Sequence, residues 1–334
     1  MRQRSLHRPS IAANCARGCF RAALLVAALS CAVLRAEAIL RVAGEVGRNR
    51  AAPTGAYAGS GWQFLGYWGG VLGTPVAPHF FLTAKHAGFA GDGQFHTESG
   101  DYTVVNAFSD PGSDLVLYQV AETFSEFAPL YTGSDEVTLG EAVLYGCGTD
   151  RGGPVLVDGV QQGWEWGIAD FPKSWGTNAV SSIADFGSSL GDLLLFTVDG
   201  AGSGFENEGA ISAWDSGGPV FVQESGVWKL AGVHYGVENY SLDGQNGFSG
   251  AIWDTRGLYV RGNNGYEFVS SSLTAPQPGL FGSTRTSSRH RDFLQPILSA
   301  DLALATPEPG TLPLLLPLFA LGAAGHCRRR RTLL

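Results

Sequence analysis

Between about residue 62 and residue 268 the chain alternates short apolar or β-branched runs with clusters of Gly, Asp, Ser and Asn. The clearest runs are Phe80–Thr83, Tyr102–Phe108, Leu115–Val120, Ala142–Cys147, Leu193–Val198, Pro219–Gln223 and Val227–His234. Each has the length of a strand and is bounded by residues that favour tight turns. No long stretch in this interval repeats its apolar positions at the helical period, and no internal repeat is present. The pattern predicts an all-β fold of the barrel or sandwich kind. Residues 272–306 are rich in Ser, Thr and Pro, with a weak apolar patch at Phe293–Ala305, and read as a spacer.

The two ends have a different pattern. Arg2, Arg4, Arg8, Arg17 and Arg21 precede an apolar run from Ala22 to Leu34, and Ala36-Glu37-Ala38 follows. A positive region, a short apolar region and a small-x-small site make an export signal, with a mature chain expected to begin at Ile39. At the other end, Pro307-Glu308-Pro309 precedes an apolar run within 312–325, and Arg328–Arg331 close it. Arginines after a short apolar segment act as a cytoplasmic stop, so this run is expected to lodge transiently in a membrane. The three-part tail resembles the PEP-CTERM sorting signal of Gram-negative bacteria. That likeness implies an exosortase-type partner reading Pro307, Glu308 and Pro309, after signal peptidase has acted at the other end. The expected location is the periplasm, then the cell surface or the exterior, with the tail as sorting anchor.

Charge follows the same division. The chain has a formal net charge of −8, yet residues 1–38 hold six Arg and one Glu, and 307–334 hold four Arg and one Glu. The body between them is therefore far more acidic than the whole, which argues against nucleic acid as a partner. Of five Cys, three lie in the signal and one in the tail, leaving Cys147 without a disulfide partner. It reads as a small buried apolar residue.

The sharpest chemical signal is Trp214-Asp215-Ser216-Gly217-Gly218-Pro219. A nucleophilic Ser needs an exposed hydroxyl on a turn whose backbone N–H groups converge, and Gly217 and Gly218 permit such a turn. Phe81-Leu82-Thr83-Ala84-Lys85-His86 delivers a His at the end of a strand, and Ser113-Asp114-Leu115-Val116-Leu117 opens one with an Asp. A Ser nucleophile requires a base, and a neutral His requires a carboxylate to fix its tautomer. His86, Asp114 and Ser216 supply these roles. His79, His96, His234 and His290 have no metal-ligand spacing, no nucleotide motif is present, and no cofactor or metal is expected.

These strings resemble the chymotrypsin/trypsin family of serine proteases. Leu82–His86 is similar to its L-T-A-A-H block, Ser113–Leu117 to its N-D-I-A-L block, and Asp215–Pro219 to its nucleophile block. Gly146-Cys147-Gly148 and Leu230–Gly236 give weaker support, so that the likeness spans about 60–265. It implies two antiparallel six-stranded β-barrels, about 39–125 and 126–271, with a catalytic cleft between them. It also implies a serine endopeptidase acting on a protein or peptide. Ser216 would attack, His86 would carry the proton, Asp114 would orient His86, and the N–H groups of Trp214 and Ser216 would hold the oxyanion. Ala210 would floor the specificity pocket, with His234, Tyr235 and Gly236 along the substrate. Glu206 and Glu208 lie close in sequence to that floor. Asp215 would pair with the Ile39 amine, which signal cleavage itself would create.

Trp214 departs from the pattern, since the family has Gly there. A flipped peptide at Trp214 would empty the oxyanion site. The alternative expectation is therefore a weak or inactive protein of the same fold that binds peptide at a surface or matrix.

Overall fold

The computed structural model describes residues 39–42, 49–88, 91–169, 171–200, 204–237, 241–242, 245–246, 250–253, 257–262, 265–270 and 279–305. The expected signal segment and the expected sorting tail, with Pro307, Glu308 and Pro309, lie outside these residues.

The fold is all-β, as the apolar pattern predicts. In the first half, six antiparallel strands close into a barrel, in the spatial order Gly66–Trp68, Val71–Ala77, Phe80–Ala84, Leu115–Val120, Gly100–Ser109 and Gln94–Thr97. Aromatic rings fill it: Phe81 stacks on Phe95 at 4.0 Å and on Tyr118 at 5.2 Å, with Trp68 against both Phe81 and Tyr118. Gly66 and Gly73 admit this stack, because a β-carbon at either would collide with Phe95 or Phe81.

The second half is built on a seven-stranded antiparallel sheet. Its order is Ser174–Ala179, Glu141–Gly146, Pro219–Glu224, Val227–Val237, Phe281–Arg285, Asp192–Phe196 and Ser182–Asp185. Beside it lies a three-stranded sheet in the order Gly250–Ile252, Val160–Ala169 and Thr149–Val157. A ring of six strands is thus found in the first half, while among the described residues the second half has more strands and no closed ladder. Leu40–Arg41 pairs with Gly209–Ala210, placing the start of the expected mature chain inside this half.

The reading of 272–306 as a spacer needs correction over its described part. Phe281–Arg285 is an interior strand, paired on one side with Val227–Val237 and on the other with Asp192–Phe196. Its small residues have a packing reason: a β-carbon at Gly282 would already stand 3.2 Å from Leu193, and Ser283 faces His234. Residues 287–305 are helical, and Phe293, Leu294 and Leu298 enter a core shared by both halves. That core also holds Leu72, Leu82 and Leu117 from the first half and Val143, Tyr145 and Phe221 from the second. Fully burying each such side chain contributes about 1.5–3 kcal/mol, so this helical segment is a structural wedge between the halves.

Candidate active site

The end of the Phe80–Ala84 strand leads to His86, the candidate base. The strand is wholly buried, and a single helical turn, Lys85–Ala87, follows it and brings His86 out to partial exposure. Asp114 stands at the start of Leu115–Val120, which pairs with Phe80–Ala84 residue for residue, Ala84 opposite Leu115. This register puts Asp114 beside His86. One Asp114 oxygen accepts the His86 backbone N–H at 2.9 Å, and the other meets His86 Nδ1 at 2.5 Å. On the far side of the ring, His86 Nε2 lies 2.7 Å from Ser216 Oγ. The edge of Tyr235 closes the ring's remaining flank, 5.3 Å away between centroids. The three residues singled out from the sequence thus form one hydrogen-bonded chain across both halves.

The turn before Asp114 is heavily braced. Buried Asp110 accepts from Gly112 N at 3.0 Å and from Ser113 Oγ at 2.6 Å. Arg289, from the C-terminal helical segment, grips the same carboxylate through Nε at 2.7 Å and Nη2 at 2.9 Å. Burial pushes the Asp110 carboxyl up, but the Arg289, Ser113 and Gly112 donors outweigh it and hold the group below its usual range. Lys85, next to His86, donates its ammonium to the carbonyls of Asp110 and Ser113, and its backbone N–H to Asp114 O at 2.7 Å. Arg289 and Asp110 were not singled out from the sequence. Asp-Pro-Gly-Ser-Asp at 110–114 signals the turn, but nothing in it signals a partner far along the chain.

Around Ser216, Gly217 takes a φ of +83°, and its N–H donates to His234 O at 3.0 Å. A β-carbon there would stand 2.3 Å from Thr83 Oγ1, so the turn requires glycine for both conformation and space. Trp214 also adopts a left-handed backbone, with φ +74°, which is rare for a bulky side chain. The orientation of its peptide follows from a neighbour. The Ala213 carbonyl points at Gly148 so closely that a β-carbon there would lie 2.1 Å from the oxygen. In a planar trans peptide the N–H points opposite to the C=O, so the Trp214 N–H is directed away from Gly148. Among the described residues neither Trp214 N nor Ser216 N has a hydrogen-bond partner within the protein.

The cleft beside Ser216 is a cavity of about 390 Å³ lined by His86, Trp166, Ser212–Ser216 less Asp215, and Tyr235–Val237. That size suits a small ligand or a single large side chain. Tyr235 and Gly236 are in this lining. Ala210 and His234 are not, which corrects two expectations. Ala210 pairs with Leu40, and the pairing draws it into the core of the second half. His234 is fully buried behind the cleft, where Nδ1 meets Ser283 Oγ at 2.9 Å. Burial holds its pKa down at about 3, so it stays neutral. Glu206 is exposed and outside the lining, and Glu208 is buried and accepts the Asp199 N–H. Apart from His86, no acidic or basic side chain lines the cavity.

The expected pair between Ile39 and Asp215 is not formed in the uncut chain. Ile39 is buried, and its peptide N–H donates to Ser174 Oγ. Asp215 is fully buried and accepts from Gly148 N at 2.8 Å, Ser212 N at 2.7 Å and Ser212 Oγ at 2.9 Å. Burial pushes its carboxyl up to about 7 despite these donors, with no cation beside it among the described residues. The two side chains are nonetheless neighbours, since a β-carbon on Gly146 would collide with both Asp215 Oδ1 and Ile39 Cδ1. Cys147 is buried too, and burial pushes its thiol well up, which keeps it a poor nucleophile.

No protein-family model matches the chain, and no curated protein matches it. Among solved structures it is similar to human heparin binding protein, at 16% identity and a TM-score of 0.42, over 80% of this chain and 99% of that one. It is also similar to the passenger domain of plasmid-encoded toxin, an autotransporter enterotoxin of enteroaggregative Escherichia coli. There the identity is 15% and the TM-score 0.36, over 53% of this chain and 19% of that one. Neither likeness is close enough to carry an argument about fold or chemistry, which rest on the strand pairings and the side chains themselves.

Proposed function

We propose that the protein is an exported serine endopeptidase that hydrolyses peptide bonds through an acyl-enzyme. The observation that carries this reading is the continuous chain from Asp114 through His86 to Ser216, set beside two unpartnered N–H groups. His86 Nε2 takes the Ser216 proton as Oγ adds to the scissile carbonyl. Asp114, buried and bound to Nδ1, keeps the ring in the tautomer that leaves Nε2 free to accept, and it stabilises the imidazolium that forms. Negative charge on the carbonyl oxygen is met by the N–H groups of Trp214 and Ser216. Each donor of this kind is worth about 3–4 kcal/mol in the transition state. The imidazolium then protonates the leaving amine, and water, activated by the same ring, releases the acyl group. The uncharged cavity favours an uncharged side chain on the acyl side over Lys or Arg.

Export and sorting are part of the proposal and rest on the sequence of residues 1–38 and 307–334. Signal cleavage after Ala38 would turn the Ile39 N–H into an ammonium beside Asp215, replacing neutral donors with a charge partner. Export and activation would then be one event.

Cleavage of denatured casein by the mature protein tests the reading. The wild type is expected to cut it, and Ser216→Ala and His86→Ala are expected to lose that activity. A wild-type protein that binds casein without cutting it supports instead the peptide-binding alternative, for which the exposed Trp214 ring is the favouring feature.

A further inference from the structure

Trp214, in the lining of the cavity beside Ser216, and its neighbour Phe171 are both held in an unfavourable way. Trp214 has φ +74° and is 55% exposed, and Phe171 has φ +64° and is 42% exposed. Left-handed backbone is rare for bulky residues, and an exposed aromatic ring gains little from burial. Here both penalties fall on the same two neighbours, whose rings meet edge to face at 5.9 Å and 71°. Strain of this sort persists where the surroundings enforce it, and it points toward use at a functional site.

The surroundings do enforce it. Phe171 lies in the link between Val160–Ala169 and Ser174–Ala179, both of the second half, yet the link is moored to the first half. Tyr67 Oη donates to Phe171 O at 3.0 Å. Lys173 forms an ion pair with Glu98 at 2.6 Å and stands over the Trp62 ring at 5.2 Å. The Trp214 ring lies over Gly70, in the turn between Gly66–Trp68 and Val71–Ala77, at ordinary van der Waals distance from where a β-carbon would be. The two rings thus form a fixed apolar shelf bridging the halves at the mouth of the site.

We infer that this shelf binds an aromatic or large apolar side chain of the substrate, on the leaving-group side of the scissile bond. The inference rests on the serine endopeptidase reading and adds a specificity to it. Continuity with the site argues for substrate as the occupant. The N–H proposed to hold the oxyanion and the exposed ring belong to one residue, so a chain bound at Ser216 must pass the ring. The side follows from the proton path. The leaving amine has to sit at His86 Nε2, so the chain beyond it departs past the first half. Gly70 and the anchors of Phe171 belong to that half, and Phe171 is outside the lining of the acyl-side cavity, whose Tyr235–Val237 wall comes from the second. Trp214 therefore separates a cavity for the acyl side from a shelf for the leaving side.

The test is a cleavage profile on a denatured-proteome peptide library, with fluorophosphonate labelling of each preparation as a check on Ser216. Wild type is expected to enrich aromatic and large apolar residues over Ala and Gly, within two positions after the cut, on the order of tenfold, the discrimination an apolar contact typically supplies. Phe171→Ala, whose changed side chain is exposed, is expected to bring that ratio close to unity, and Trp214→Gly to lower it as well. A ratio within one enzyme is insensitive to a general loss of turnover. A labelled, cutting wild type without this enrichment overturns the shelf alone, as does enrichment unchanged in both variants. A wild type that is neither labelled nor active overturns the shelf together with the endopeptidase reading.

Discussion

Gly148 borders the peptide that carries the proposed Trp214 donor. Its α-carbon leaves room for the inward Ala213 carbonyl, and that carbonyl sets the direction of the Trp214 N–H. A methyl group there would meet the Ala213 carbonyl oxygen first, at 2.1 Å, with Ser212 Oγ and Asp215 Oδ1 also within 3 Å. Gly148→Ala is expected to displace the Ala213–Trp214 peptide and lower kcat by about 10²–10³-fold, the loss that follows removal of one such donor. Steady-state kinetics on a peptide amide checks this, with circular dichroism to establish that the variant is folded. Sequence motifs place His86, Asp114 and Ser216 well because each is fixed by its immediate neighbours. A strand end, a strand start and a glycine turn are local features. The failures at Ala210 and His234 are not local. Counting six residues back from Ser216 suggests a pocket floor, but pairing with Leu40 across the fold withdraws Ala210 into the core.

At the scale of elements, the C-terminal helical segment does more than fill space. Arg289 holds Asp110, Asp110 holds the turn 110–114, and that turn presents Asp114 to His86. Arg289 is thus a positioning residue, acting through Asp110. Arg289→Gln is expected to lower kcat by roughly tenfold or more with KM little changed, since small misplacements of reacting groups are costly. Arg289→Lys is expected to recover part of the loss, because it keeps the charge without the two-pronged grip. A purely structural role would instead lower thermal stability and leave kcat of the folded variant intact. Composition concealed this segment. Ser, Thr and Gly dominate the Phe281–Arg285 strand because Leu193, Leu195 and His234 already occupy the space around it. The apolar positions of the following helical turns are few, so periodicity alone did not reveal them. The strands of the first half were legible because their alternation is strong and their inner faces carry large apolar residues.

For the whole molecule, the proposed cleavage before Ile39 would set a new amine beside Asp215, the residue before Ser216. The Asp215 carboxyl is pushed by burial from an ordinary value of 3.8 up to about 7, so the folded uncut chain binds a proton that the unfolded chain has released. Stability falls wherever the folded state binds more protons as pH rises, here between about pH 4 and 7. A free Ile39 ammonium would compensate the carboxylate and remove that loss. Two forms are therefore expected to differ, one beginning at Ile39 and one retaining Ala38. From pH 4 to 7 the longer form is expected to lose melting temperature relative to the shorter. Other titrating groups, such as Glu208 and His234, cancel in the comparison. Parallel melting curves across this range would remove the proposed link between export and activation.

Asp114, His86 and Ser216 meet where the two halves join, so the account stands on whether Ser216 is chemically activated there. The direct measurement is mass spectrometry of the mature protein after exposure to a fluorophosphonate. The account predicts one stoichiometric adduct on the peptide containing Ser216, lost in Ser216→Ala and strongly slowed in His86→Ala. A folded wild-type protein that remains unmodified under conditions that label a control serine hydrolase would contradict it.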